Sequence, residues 1–281
     1  MHKEIITSVQ NESIKQVIAL REAKTRREYG LTVIDGLREI HRALDAGVTI
    51  ERVYVCPPLL QGRDDQHLMT QLKTHHIKLI DVTEAVFEKI AFGQRLEGLV
   101  AVCRIPQRSL VDIKPSGSSL YVIAQALEKP GNIGAILRTC DAAGVDGLLL
   151  VDAKTDLFNP NVIRASTGTV FSVPTVMADS QSVLDFLTRY KIKTCSMFPQ
   201  SSSLYTDVDL TGSVAIVLGT EDKGLSEFWQ KHTDMQIKVP MRGKADSLNV
   251  SVCAAIVIYE AIRQRSLVAP DPVLRRSAKK F

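Results

Sequence analysis

The chain has 281 residues, of which 45% are hydrophobic and 23% are charged. This length allows one large domain or two ordinary ones, and this composition excludes disordered and fibrous proteins. The net charge is +4, which permits a polyanionic partner without requiring one. No apolar run reaches the ~20 residues of a membrane span, and the polar N-terminus has no apolar signal region. We therefore expect a cytoplasmic protein.

The cysteines and histidines give no indication of a metal site. The five cysteines are widely scattered in apolar segments and form no CxxC pair. This pattern favours reduced core residues over disulfides or zinc ligands. The His75-His76 pair has no carboxylate or cysteine at ligand spacing. We expect no metal cofactor.

The first 105 residues alternate between helical and extended patterns. Apolar residues predict a helix over residues 11–28, whose other face carries the basic residues Lys24, Arg26 and Arg27. Further on, the patterns predict strands at residues 31–34, 51–56, 77–80 and 98–104, and helices at residues 37–44, 66–73 and 83–90. This alternation is typical of an α/β domain, which we assign to residues 1–105.

A linker and a second α/β domain follow. Residues 106–118 are rich in proline, glycine and serine and have little periodicity, so we assign them to the linker. In the second domain, residues 119–266, strands are predicted at 120–126, 147–151, 193–197, 214–218 and 235–239, and helices at 133–143, 160–169, 184–190 and 250–265. Its apolar strands are typical of a parallel sheet. Residues 267–281 are predicted to be a loose basic tail.

Three polar junctions of the second domain each lie near the end of a predicted strand and contain glycine. The first has Asn132 at a predicted helix start, followed by Gly134 and Arg138; the second runs from Leu218 and Gly219 through Thr220 and Glu221 to Gly224; the third runs from Val239 to Ser251. Ligands of open α/β sheets bind at the carboxyl ends of the strands. Each junction alone could be a capped helix or an ordinary turn, but three together predict a ligand site.

A fourth polar segment, residues 159–171, places Arg164 and small hydroxyl residues on one short predicted helix. That composition suits contacts with phosphate and ribose, although a surface helix followed by a strand explains it equally well. The chain has no GxGxxG and no GxxxxGK[ST], which argues against dinucleotide and nucleoside triphosphate sites.

The three junctions together resemble the three motifs of the SpoU/TrmH family of RNA ribose 2′-O-methyltransferases, which belong to the SPOUT class. The order and spacing match over roughly residues 119–265. The N-terminal part more loosely resembles the substrate-binding domain of ribosomal RNA members, an α/β domain similar to kink-turn-binding ribosomal proteins. The resemblance implies a parallel sheet with a deep trefoil knot, which periodicity alone would not suggest. It also implies a homodimer formed through the knot domain.

The resemblance further implies S-adenosylmethionine as the cofactor and assigns residues to the site. The implied cofactor-binding residues are Leu218, Gly219, Thr220, Ile237, Val239, Ser247, Leu248 and Asn249. The implied catalytic residues are Arg138, Asn132, Glu221, Ser247 and Asn249. The family proposal makes Arg138 a base, but arginine is effectively always protonated, so we assign it to stabilising the developing alkoxide or holding a phosphate.

The sequence defines the RNA partner less closely than it defines the cofactor. Basic residues that could grip RNA phosphates are Lys24, Arg26, Arg27, Arg38 and Arg164, although a solvated charged face is the alternative. The leading function is methylation of a ribose in RNA, with 23S ribosomal RNA as the first choice of substrate. Transfer RNA is a second choice of substrate. A non-catalytic RNA-binding or ribosome-assembly protein that keeps the fold is a third interpretation.

Overall fold

The computed structural model describes residues 5–60, 62–92, 97–220 and 224–268, which form two compact units. The first unit comprises residues up to Gln107 together with Thr155–Ser172, and the second comprises Arg108–Lys154 and the residues from Val173 onward. The predicted α/β class is confirmed for both units. The part of the predicted basic tail beyond residue 268 lies outside the described residues.

The first unit is built on a five-stranded mixed sheet. Its strands, in the sheet order β1-β4-β3-β5-β2, are β1 (Ile5–Ile6), β4 (Lys78–Val82), β3 (Ile50–Val55), β5 (Leu99–Arg104) and β2 (Leu31–Asp35). Strand β5 runs antiparallel to both β2 and β3, whereas β4 is parallel to β1 and β3. Its helices are α1 (Glu12–Ala19), α2 (Ala23–Tyr29), α3 (Leu37–Asp45), α4 (Arg63–Thr74), α5 (Glu84–Ile90), α7 (Pro160–Ala165) and α8 (Thr169–Ser172).

The second unit is built on a six-stranded sheet that is parallel throughout. Its strands, in the sheet order β11-β9-β10-β6-β7-β8, are β11 (Met235–Ile237), β9 (Lys193–Met197), β10 (Val214–Leu218), β6 (Leu120–Gln125), β7 (Gly147–Val151) and β8 (Thr175–Ala178). Its helices are α6 (Pro130–Ala143), α9 (Ser180–Arg189), α10 (Glu227–Lys231) and α11 (Val250–Val268). Strands β6, β7 and β10 are buried along their whole length, as expected of central strands in a parallel sheet.

Each unit has its own apolar core. In the first unit, Ile14 and Val17 of α1 pack with Val86 and Phe87 of α5 against the sheet. In the second unit, alternate residues of β6, β7 and β10 pack against α9 and the fully buried Trp229. All five cysteines are free. In the described part of the chain, no helix is long and apolar enough to cross a membrane.

Residues 155–172 differ from the predicted domain division, which placed them in the second domain. They lie in the first unit, where the Thr32 hydroxyl donates to the Phe158 carbonyl (2.6 Å) and the Arg42 guanidinium donates to the Thr167 carbonyl (2.7 Å). The alternation of helices and strands indicates that a helix is present, but it does not indicate which sheet that helix packs against.

The predicted helix over residues 11–28 is two helices, because the chain turns after Ala19 and α2 begins at Ala23. The reason is Arg26, whose guanidinium donates to the carbonyls of Leu20 (2.8 Å) and Arg21 (2.7 Å). These are carbonyls that a continuous helix would pair with backbone N–H groups. Arg26 is only 1% exposed, and its Nε atom also donates to Asp156 (2.7 Å).

The prediction that Arg26 binds RNA phosphate is therefore wrong. A guanidinium that is 1% exposed and already holds one carboxylate and two carbonyls is not accessible to a phosphate. Lys24 and Arg27, on the same helix, are exposed. Arg26 is instead a structural residue, whose guanidinium satisfies the backbone carbonyls at the break between α1 and α2.

We predict that Arg26→Gln destabilises the first unit by about 3 kcal/mol, because breaking a buried ion pair leaves Asp156 and two carbonyls without their donor. Hydrogen exchange of the amides of β2 and β5 measures this loss of stability. The matched control is Lys24→Gln on the same helix, which should change the stability by less than about 0.5 kcal/mol because Lys24 is exposed. Equal effects of the two substitutions would contradict the structural role of Arg26.

Candidate functional site

The second unit contains two neighbouring cavities at the carboxyl ends of its central strands. The larger cavity has a volume of about 430 Å³ and lies beyond β9, β10 and β11. The smaller cavity has a volume of about 300 Å³ and lies beyond β6 and β10. Both are lined by Thr220, Gly224 and Leu225, so one loop segment separates them. This is the position that open α/β sheets use for ligands.

The larger cavity contains most of the residues expected to bind the cofactor. Six of these eight residues line it: Leu218, Gly219, Thr220, Ile237, Ser247 and Leu248. Val239 and Asn249 are not part of this lining. Burial raises the pKa of the Cys253 thiol, so that side chain adds a neutral wall to the cavity. The lining combines apolar side chains with a few polar groups, as small-molecule sites usually do.

Gly219 allows the backbones of Thr220 and Gly224 to pair between the two cavities. Across this loop, the backbone N–H groups of Thr220 and Gly224 donate to each other's carbonyls, both at 3.1 Å. A Cβ atom on Gly219 would lie only 2.5 Å from the backbone nitrogen of Leu225. Because such an approach is possible only without a side chain, residue 219 must be glycine here. Glu221, an expected catalytic residue in the same loop, lies outside the described residues.

The first and third polar junctions meet through two side-chain amides. The Asn249 side-chain nitrogen donates to the Asn132 side-chain oxygen (3.0 Å). The Asn249 oxygen accepts from the N–H (2.9 Å) and the hydroxyl (2.6 Å) of Ser251, which places Asn249 as the cap of α11. The helix cap that the sequence offered for this junction is present, and the same amide also contacts Asn132.

Arg138, an expected catalytic residue, and Arg164, one of the residues expected to grip RNA phosphates, have different surroundings. Arg138 is exposed on α6, and among the described residues it forms no ion pair. Arg164 lies in the first unit, where its guanidinium donates to the fully buried carboxylate of Asp35 (2.7 Å). Burial raises the pKa of Asp35, and the Phe92 N–H and Arg164 oppose that rise. The Arg164 charge thus stabilises the first unit.

The sequence reasoning missed the wall contributed by the loop after β9. Met197, Phe198, Pro199 and Gln200 follow that strand and line the larger cavity. They carry no recognisable motif. These residues do follow a predicted strand. That position indicates a cavity wall only if β9 is known to lie beside β10 in the sheet. Within the described residues no group of three or more metal-ligating side chains occurs.

Two family models match the chain. Residues 119–259 match the SpoU rRNA Methylase family, and residues 11–101 match the MRM3-like substrate binding domain. A relative from Bacillus subtilis (strain 168), 23S rRNA (guanosine(2553)-2′-O)-methyltransferase RlmP, is 28% identical over 90% of this chain and 97% of its own length.

Two crystal structures are similar over nearly the whole chain. An RNA 2′-O ribose methyltransferase is 40% identical, with a TM-score of 0.83 over 93% of this chain and 99% of that one. The SpoU methyltransferase AviRb from Streptomyces viridochromogenes, in complex with the cofactor AdoMet, is 27% identical, with a TM-score of 0.84 over 93% of this chain and 100% of that one.

The fold and the site define an RNA 2′-O-ribose methyltransferase that uses S-adenosylmethionine. Within that class, the chain belongs to the SpoU rRNA Methylase family. The larger cavity fits the cofactor, because its lining offers apolar contacts for a purine and a glycine, Gly219, at which a ligand can approach the backbone.

We predict that Gly219→Ala weakens S-adenosylmethionine binding by at least about tenfold, equivalent to about 1.4 kcal/mol, because the added methyl group forces the Thr220–Gly224 pairing apart. Isothermal titration calorimetry measures this change in Kd. Gly212→Ala in the same unit is the matched control, since a Cβ at Gly212 meets no atom within 4 Å. Normal cofactor binding by Gly219→Ala would refute the role of the closed loop.

Proposed function

We propose that this chain methylates the 2′-hydroxyl of a ribose in 23S ribosomal RNA. The observation that carries the proposal is the amide pair Asn132–Asn249, which joins α6 to α11 beside the two cavities. The relative RlmP, whose name states this reaction on 23S rRNA, is similar over 90% of the chain. We place the protein in the cytoplasm, where its ribosomal RNA substrate would be made.

The chemistry needs alignment and charge stabilisation more than a strong base. The cofactor supplies an electrophilic methyl group, and a ribose hydroxyl is a poor nucleophile until its proton leaves. We assign to Arg138 the stabilisation of the negative charge that develops on the 2′-oxygen, because a guanidinium cation can donate charged hydrogen bonds to an oxyanion. Asn132, Ser247 and Asn249 orient the ribose by hydrogen bonds. We assign the same role, orienting the ribose, to Glu221.

The first unit is proposed to bind RNA through its exposed basic residues. Lys24 and Arg27 are exposed on α2, and Arg38 is exposed beside a polar cavity of about 630 Å³ in the same unit. The match of residues 11–101 to a substrate-binding domain supports this role. We propose that the unit also resembles kink-turn-binding ribosomal proteins. The Arg164 side chain is 30% exposed, and we propose that it contacts phosphate in addition to its ion pair with Asp35.

We further propose a trefoil knot in the second unit and a homodimer formed through it. One face of α11 supports the dimer: Val252 and Tyr259 are 45% and 51% exposed, and Ala255 and Ile256 between them are half-buried. These four residues recur at helical spacing and form an apolar stripe, which a second copy of the chain would cover. In such a dimer, Arg138 would reach the partner's site.

We predict that Arg138→Ala abolishes methyl transfer and leaves S-adenosylmethionine binding intact, because the charge on the 2′-oxygen loses its stabilising cation. Transfer of a radiolabelled methyl group to 23S rRNA measures turnover, and calorimetry measures cofactor binding. Arg189→Ala is the control, since Arg189 is also exposed but lies on α9. Turnover by Arg138→Ala equal to that of the wild type would remove Arg138 from the mechanism.

We also predict that Tyr259→Glu converts the dimer to a monomer and lowers turnover, because it places a charge in the apolar stripe of α11. Light scattering coupled to size exclusion measures the mass. The matched substitution is Tyr190→Glu, which changes a tyrosine of the same unit that is 44% exposed outside the stripe. A dimer that survives Tyr259→Glu, or a wild type that is already monomeric, would contradict this interface.

A further inference from the structure

The smaller cavity is positioned for a second reactant beside the cofactor. It shares Thr220, Gly224 and Leu225 with the larger cavity, so a molecule in one is separated from a molecule in the other by a single loop segment. Its remaining lining is mainly polar and includes Gln125, Glu128, Lys129, Asn132, Lys154 and Ser226. Methyl transfer requires two reactants in close approach, and this arrangement of cavities provides it.

A partly buried hydrogen-bond network holds the floor of the smaller cavity in shape. Gln125 donates to Asp152 (3.1 Å) and to the Ser226 hydroxyl (2.9 Å), and the Ser226 N–H donates back to the Gln125 oxygen (2.9 Å). The network continues through Ser180, which donates to Asp152 (3.0 Å) and accepts from the Trp229 ring N–H (3.1 Å). Such a network fixes a polar site before a ligand arrives.

The backbone at this floor is also strained. Ala126 follows β6 with φ of 51°, and Asp152 follows β7 with φ of 52°. These two strands are neighbours, and Ala126 donates its N–H to the Val151 carbonyl (2.8 Å). A positive φ costs energy in residues other than glycine and persists only where the surroundings impose it, which is frequently at functional sites.

An exposed ion pair between Lys154 and Glu128 lies at this cavity. Their side chains are 64% and 61% exposed, so the pair is weak and can exchange partners. A phosphate oxygen is a strong acceptor for a lysine ammonium group. Every internal ribose in RNA is flanked by phosphates, so a 2′-hydroxyl placed near the cofactor brings a phosphate close to this pair.

We propose that the smaller cavity binds the acceptor ribonucleotide and that its flanking phosphate replaces Glu128 as the partner of Lys154. The inference rests on the proposed function, because it requires an RNA substrate. Its consequence is a competition: Glu128 and the phosphate bind the same ammonium group. Removing the lysine charge and removing the glutamate charge must therefore change RNA binding in opposite directions.

The test compares Lys154→Gln and Glu128→Gln in the full-length protein, with 23S rRNA from cells that lack the gene. We expect Lys154→Gln to raise the KM for RNA by about fivefold and to lower the slope of log affinity against log salt by about 0.7–0.9, as for one lost phosphate contact. We expect Glu128→Gln to lower the KM by about threefold, because the phosphate then meets no competitor. Lys154→Arg should restore the wild-type KM.

The matched control is the ion pair Lys231–Glu227 in the same unit, whose side chains are 72% and 86% exposed. Lys231→Gln and Glu227→Gln should leave the KM unchanged, and calorimetry should show unchanged S-adenosylmethionine binding for all variants. If both substitutions at Lys154 and Glu128 raise the KM, or neither changes it, while the wild type methylates RNA, the inference is wrong and the proposed function stands. If the wild type methylates no ribosomal RNA, both are wrong.

Discussion

The side-chain amide of Asn249 is the interaction on which the site depends. Its oxygen accepts two hydrogen bonds from Ser251 and so begins α11, while its nitrogen donates to Asn132 on α6. A carboxylate could cap the helix equally well but could not donate to Asn132, and an alanine could do neither. One amide thus sets both the start of the last helix and the orientation of the Asn132 side chain. Because Asn132 lines the smaller cavity, local helix capping and the chemistry of the site are coupled.

The loop between the two cavities depends on a different constraint, which is the absence of a side chain. Gly219 lets the backbone at Leu225 approach closely, and Gly224, with φ of 64°, lets the chain turn back to pair with Thr220. The positive φ values of Ala126 and Asp152 place two costly backbone conformations in the same region. The buried strands β6, β7 and β10 give the rigid support that makes such strain tolerable.

The parts of the site that the sequence predicted are those set by local patterns. Apolar runs indicated β6 and β10, and glycines and polar residues directly after them indicated a ligand at their carboxyl ends. The loop after β9 was missed because the sheet order β9-β10 is a long-range property. Strand β8 was missed because it is four residues long and partly exposed at the sheet edge. The placement of residues 155–172 in the first unit also depends on tertiary packing, which periodicity does not encode.

The arginines of this chain differ in burial, which the sequence does not reveal. Arg26 and Arg164 fall in basic, polar segments and therefore resemble phosphate ligands, yet Arg26 is buried against Asp156 and Arg164 balances the buried Asp35. Removing a charge from water is costly unless an opposite charge accompanies it. The buried Asp35 therefore requires Arg164, and the buried Arg26 requires Asp156. Arg38 and Arg138 are exposed instead, and their side chains keep donors available for a polyanion. Composition counts all four alike, whereas burial singles out Arg26, which is 1% exposed and serves only the fold.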